Sequence, residues 1–94
     1  MKVIVCYFTV LREVTGKREE EIDAKKGSTI EDILNFLNGK YGKGFEKYVL
    51  SGRKHKGLKL LFLMNGQNIE QLEGLKTKLY DGSILTIMPP VAGG

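Results

Sequence analysis

From Lys2 to Val10 the chain is almost continuously apolar, rich in β-branched and aromatic residues and without helical spacing. That pattern predicts a strand. Val3, Val5 and Tyr7 fall on one face and Ile4, Cys6 and Phe8 on the other. Apolar residues on both faces predict a central strand. Thr15-Gly16 marks a turn within Leu11–Lys17. Arg18–Ala24, "REEEIDA", reads as an edge strand with Ile22 and Ala24 inward and glutamates that discourage pairing with other sheets. Ser28 to Tyr41 is the clearest helix. Ser28 and Glu31 have capping-box spacing. Ile30, Ile33, Leu34, Leu37 and Tyr41 form one apolar stripe, and Gly39 and Gly42 mark the fraying end.

Residues 42–57 form a basic, glycine-punctuated connection with an apolar centre at Phe45, Tyr48, Val49 and Leu50, expected to pack as a turn of helix or an extra strand. Leu58 to Met64 is a second strand apolar on both faces. Asn65-Gly66 is a strong hairpin signal, with Gln67–Gln71 as the return strand. Leu72–Leu79 is a compact connection pinned by its leucines, and Asp81-Gly82 turns into a last strand, Ser83–Met88. The first and last strands are the most apolar, so both are expected to be central. They neighbour each other only if they run parallel, with the helix on one sheet face. That is an α+β architecture of the β-grasp (ubiquitin-like) kind, a mixed four- to five-stranded sheet with one main helix. Residues 1–88 make the domain and residues 89–94 an extended tail.

One helix covers one side of such a sheet, yet three strands are apolar on both sides. Part of the second face is therefore expected to be an apolar patch for a protein partner. Coverage by segments 42–57 and 72–79, or homodimerisation, would satisfy the same constraint.

At 94 residues the chain has room for a single small core. Hydrophobic content of 41% and charged content of 28% are ordinary for a globular protein and argue against disorder. The net charge of +4 is a mild excess that solubility explains as well as an acidic partner does. The lone Cys6 excludes an internal disulfide and any multi-cysteine metal site within one chain. It fits a reducing cytoplasm, and no apolar run is long enough to span a membrane.

The chemistry points to the end of the chain, Pro89-Pro90-Val91-Ala92-Gly93-Gly94. Two prolines project it stiffly from Met88. Six residues at ~3.3–3.6 Å each reach roughly 20 Å. Val91 and Ala92 are slim enough for a narrow groove, and Gly93 and Gly94 let other groups approach the backbone closely. A free carboxylate is a poor acyl donor. It can attack the α-phosphate of ATP to give an acyl-adenylate, from which a sulfur or nitrogen nucleophile displaces AMP. The products are a thiocarboxylate, a thioester or an amide.

Several stretches resemble one family. "PPVAGG" is similar to the C-terminus of the small subunit of molybdopterin synthase. "YFTVLREVTG", "LMNGQNI" and "LYDGSILTIMPPVAGG" resemble that family's first-strand exit, Asn hairpin and closing strand. Ser83 departs from the family pattern, which often has an acidic residue after Asp-Gly, and the 42–57 segment is unusually basic. The resemblance implies a ubiquitin-like sulfur carrier that binds no cofactor itself. A ubiquitin-activating-type enzyme would use ATP to adenylate Gly94, and sulfur would be loaded as a thiocarboxylate. The tail would enter the large synthase subunit, which supplies the catalytic side chains, and donate sulfur to a pterin precursor to make molybdopterin. Gly94 would be the reagent, Gly93 a steric requirement, and Pro89, Pro90, Val91 and Ala92 the partner-binding tail. The same fold and ending also serve the thiazole-synthesis sulfur carrier, against which the Pro-Pro root argues. They serve small archaeal-type modifiers too, and conjugation of Gly94 to lysines is the alternative.

The remaining candidates carry less. Cys6 is expected to be a buried, inert thiol, and His55, the only histidine, a surface residue. "GKYGKG" lacks the spacing of a phosphate loop. The basic run Arg53, Lys54, His55, Lys56 and Lys59, near Phe45 and Tyr48, is expected to be a solvated loop rather than a nucleic-acid surface.

Overall fold

The computed structural model describes residues 1–8, 10–46 and 60–88. The first strand, β1, spans Lys2–Tyr7, and a short helix, α1, spans Val10–Thr15. Then come β2 (Glu19–Asp23), α2 (Ile30–Tyr41), β3 (Leu61–Met64), β4 (Gln67–Asn68) and β5 (Ile84–Met88). Two turns of 3-10 helix, Ile69–Gln71 and Gly74–Lys76, lie between β4 and β5. Among the described residues, no helix is long and apolar enough to cross a membrane.

The sheet has five strands in the order β2-β1-β5-β3-β4. β1 and β5 are central and parallel, paired from Ile4 with Ile84 to Tyr7 with Ile87. The other pairs, β1 with β2, β3 with β5 and β3 with β4, are antiparallel. This is the arrangement expected from the two most apolar strands, with β2 as the expected edge. The Asn65-Gly66 hairpin is also present: φ is 51° at Asn65 and 85° at Gly66, the pair of positive values that a two-residue turn between twisted strands requires.

Register sorts the side chains into two faces. Val3, Val5, Tyr7, Ile22, Leu85 and Ile87 face α2 and are buried. They meet Ile30, Ile33, Leu34 and Leu37, the expected helix stripe, with Tyr41 half-buried at its end. Leu79 joins this core, Leu75 is half-buried against it, and Leu72 is half-buried.

Three local expectations need correction. The helix cap is not Ser28 with Glu31. Thr29 caps α2, its hydroxyl accepting from the Asp32 amide while Asp32 accepts from the Thr29 amide at 2.9 Å. Ser28 instead donates to the Lys25 carbonyl at 2.7 Å. Both pairs have the same spacing, and the Ser28 hydroxyl is used in the preceding turn. Second, β1 stops at Tyr7, and the stretch expected to be strand end and turn holds α1. Third, the return strand is two residues long and gives way to 3-10 helix, because Asn68 accepts from the Glu70 amide at 2.9 Å. In the basic connection, residues 43–46 are helical and Phe45 is fully buried, the first of the two alternatives expected for that part, and 47–59 lie outside the described residues.

One inward position on β2 is not apolar. Glu20 sits opposite Val5 and points to the covered side, its side chain only 6% exposed. One carboxylate oxygen accepts the hydroxyls of both Tyr7 and Tyr41. The other accepts the ammonium groups of Lys40 at 2.8 Å and Lys17 at 3.3 Å. Phe45 stands edge-on to Tyr7, with ring centroids 6.2 Å apart, and stacks on Tyr41 at 5.9 Å. The carboxylate thus ties edge strand, central strand and helix end together. Burial alone would raise its pKa. The four donors, led by Lys40 and Tyr41, outweigh burial and hold the carboxyl at about 2, against an ordinary 4.5. Burial, reinforced by the hydrogen bond to Glu20, pushes the Tyr7 hydroxyl well above its ordinary range.

Because Glu20 titrates lower in the folded chain, its contribution is complete above pH 4.5 and is lost as pH falls toward about 2. Glu20→Gln is expected to lower stability at neutral pH by about 1–3 kcal/mol. It is also expected to flatten the fall of melting temperature over that acid window. A melting profile against pH for both proteins checks this; an unchanged acid limb in the variant would mean that Glu20 is not its source.

Candidate functional site

The tail residues Pro89, Pro90, Val91, Ala92, Gly93 and Gly94 lie outside the described residues, as do His55 and the basic run 53–59. What the described chain fixes is the place where the tail begins. β5 is central, flanked by β1 and β3, and ends at Met88. Since β1 runs parallel to it, both strands finish at the same end of the sheet. Met88 sits opposite Leu61, and Phe8 follows Tyr7, the partner of Ile87. The last described residue therefore stands beside aromatic and aliphatic neighbours on two sides.

The same register defines the outer face. Ile4 pairs with Ile84, Cys6 with Thr86, Leu63 with Thr86 and Leu61 with Met88, all on the side away from α2. Ile84 is 41% exposed, and Ile4, Cys6, Leu61, Leu63 and Met88 are half-buried. Along the β2 border the face turns acidic, with Glu19, Glu21 and Asp23 exposed and Lys2 paired to Glu21 at 3.4 Å. An apolar strip with a charged border is the composition of a protein-docking surface. The strip continues to Met88, so it leads directly to the tail root.

Cys6 belongs to this outer face. It was expected to be buried, and it is only half-buried. Burial, then the nearby Glu19 charge, raise the thiol above its ordinary pKa, so it stays protonated and poorly nucleophilic near neutral pH. Phe45 is in the core, stacked against Tyr41, and so is not an aromatic platform beside the basic run.

The chain as a whole is similar to several known proteins. A model of the ThiS family matches residues 5–94. The chain belongs to the ThiS family. With the sheet described above, it is a ubiquitin-like β-grasp protein of the sulfur-carrier kind. It is 29% identical over 94 residues to small archaeal modifier protein 3 of Haloferax volcanii, covering 100% of both chains. The solution structure of small archaeal modifier protein 1 from Methanosarcina acetivorans is 37% identical, with a TM-score of 0.74, over 99% of this chain and 96% of that one. The structure of the BexX/CysO complex from Amycolatopsis orientalis contains a chain 29% identical, with a TM-score of 0.68, over 98% of this chain and 99% of that one. A complex of subunits 1 and 2 of the molybdopterin-converting factor from Helicobacter pylori matches with a TM-score of 0.61 at 21% identity, covering 100% of each chain, and shares the fold.

The assignment of faces has a direct test in two adjacent residues of β5. Ile84→Lys adds a charge to the outer face and is expected to leave the melting temperature within a few degrees. Leu85→Lys puts a charge where Leu85 is 0% exposed and is expected to unfold the chain. Thermal denaturation of both variants checks it; comparable losses would mean that the outer face is packed.

Proposed function

We propose that this chain is a sulfur carrier for molybdopterin synthesis, acting through the carboxylate of Gly94. The observation that carries the reading is the coincidence of a Gly-Gly ending with a central last strand. β5 is held on both sides, so a tail leaving Met88 has a rigid root. In this reading the Gly94 carboxylate oxygen attacks the α-phosphate of ATP and pyrophosphate leaves. A sulfur nucleophile then attacks the acyl carbon and AMP leaves, giving a thiocarboxylate. The charged nucleotide chemistry takes place in the adenylating enzyme, and sulfur transfer to the pterin precursor takes place in a large subunit. This chain contributes the acyl group, the slim tail and the docking face. A side chain at position 93 or 94 would obstruct the groups that must close around the tip. The outer strip supports the partner part of the reading, since a tail of roughly 20 Å delivers its tip only if the body is docked nearby.

Full-length similarity to a small archaeal modifier favours a second reading, in which the adenylate is intercepted by lysine amines. Both readings share the first step and differ in the nucleophile.

Deleting Gly94, or adding one residue beyond it, is expected to abolish sulfur transfer and lysine conjugation alike while leaving the melting temperature unchanged. Product formation with the adenylating enzyme, ATP, a sulfur donor and the large subunit checks this. Normal product from either variant would overturn the role of the tail. Gly94–lysine adducts in the parent, with no molybdopterin formed, would replace the carrier reading by the modifier reading.

A further inference from the structure

One charged side chain at the end of β1 is held in place and, among the described residues, has no ionic partner. Arg12 lies on α1, directly after β1 reaches the end of the sheet from which the tail departs. Its Nε donates to the Tyr7 carbonyl at 2.9 Å, and its guanidinium carbon lies 5.0 Å from the centre of the Phe8 ring. These contacts fix the plane and direction of the group. They use one of its five N–H donors. Among the described residues no carboxylate is ion-paired with it, although Glu13 is its neighbour in sequence. Lys2, Lys17, Lys40 and Lys76 have carboxylate partners, whereas Arg18, Lys25, Lys26, Lys43 and Lys78, like Arg12, have none among the described residues; Arg12 differs from these in being fixed by a carbonyl and a ring. Arg12 is exposed, and the ring beneath it, Phe8, lies at the end of β1 level with Met88.

We propose that Arg12 is the charged docking contact for the enzyme that adenylates the tail, and that this enzyme presents a carboxylate side chain to the free edge of the guanidinium. The inference rests on the reading of the tail given above. Three points support it. A partner that closes around a tail leaving Met88 comes down on Phe8, which is level with Met88, and so meets the guanidinium that Phe8 carries. Covering a guanidinium without an acceptor leaves an unpaired charge, so the covering surface has to supply one. A planar fork already fixed by a carbonyl and a ring loses little freedom on pairing, and a carboxylate matches its geometry. The adenylating enzyme is the occupant because carrier and modifier readings both pass through it.

The test measures pyrophosphate release from ATP by the cognate adenylating enzyme, with the full-length chain as varied substrate. Arg12→Gln keeps a donor for the Tyr7 carbonyl and removes the charge. It is expected to raise KM by about tenfold with kcat unchanged, and to weaken the dependence of KM on salt. Arg12→Glu is expected to raise KM by about a hundredfold, and Arg12→Lys, which keeps charge without the fork, by several-fold. Melting temperatures separate folding from docking. If Arg12→Gln fails to fold, Arg12→Lys with its salt dependence decides. A KM within about twofold of the parent in the folded variant, with an unchanged salt dependence, would overturn the proposal. That result leaves the tail reading intact, whereas a parent chain that is not adenylated at all removes both.

Discussion

Ile4, Val5, Cys6 and Tyr7 run parallel to Ile84, Leu85, Thr86 and Ile87, and no tight turn can join parallel neighbours. Everything between them has to leave the sheet and return. The helix, the β3–β4 hairpin and the 3-10 turns are that return path. The same pairing gives the chain its polarity. It buries the two most apolar strands in the middle, sends the weaker strands to the edges, and places the end of β5 at the same sheet end as the exit of β1. Phe8 and Leu61 are brought to the two sides of the tail root by this one register, from positions far apart in sequence.

The pairing also accounts for the two unequal faces. α2 and its stripe cover one side, and the alternation of the strands sends Ile4, Leu61, Leu63, Ile84 and Met88 to the other. The covered side closes at the β2 edge around Glu20 rather than around another aliphatic residue. A carboxylate there accepts from the hydroxyl of fully buried Tyr7, which would otherwise be hard to satisfy, and also from Tyr41 and from the ammonium groups of the exposed Lys17 and Lys40. It joins strand edge and helix end through directional bonds, where shape alone would permit sliding.

Much of this was legible in the sequence because it rests on periodicity. Central strands, the helix stripe, the Asn-Gly hairpin and the parallel pairing all follow from apolar spacing and turn chemistry. Alternation with Ile22 and Ala24 marks Glu20 as the inward glutamate of "EEE", but its role was not legible, because its partners Tyr7, Lys17, Lys40 and Tyr41 come from other elements. The cap was misplaced by one residue because "STIED" contains two overlapping boxes, and only the preceding turn decides between them. Arg12 gave no signal at all. Its setting exists only once α1 folds back over Phe8, and the six-residue α1 was itself hidden behind a turn signal at Thr15-Gly16. The tail motif suggests its chemistry by composition, and residues 89–94 lie outside the described residues.

The central claim is that the Gly94 carboxylate is activated and loaded with sulfur, and mass spectrometry of the C-terminal peptide from the chain's own cells tests it most directly. The account predicts that a fraction of that peptide has one terminal oxygen replaced by sulfur. Peptide carrying only the unmodified carboxylate, with the adenylating enzyme, ATP and a sulfur donor all present, would contradict it.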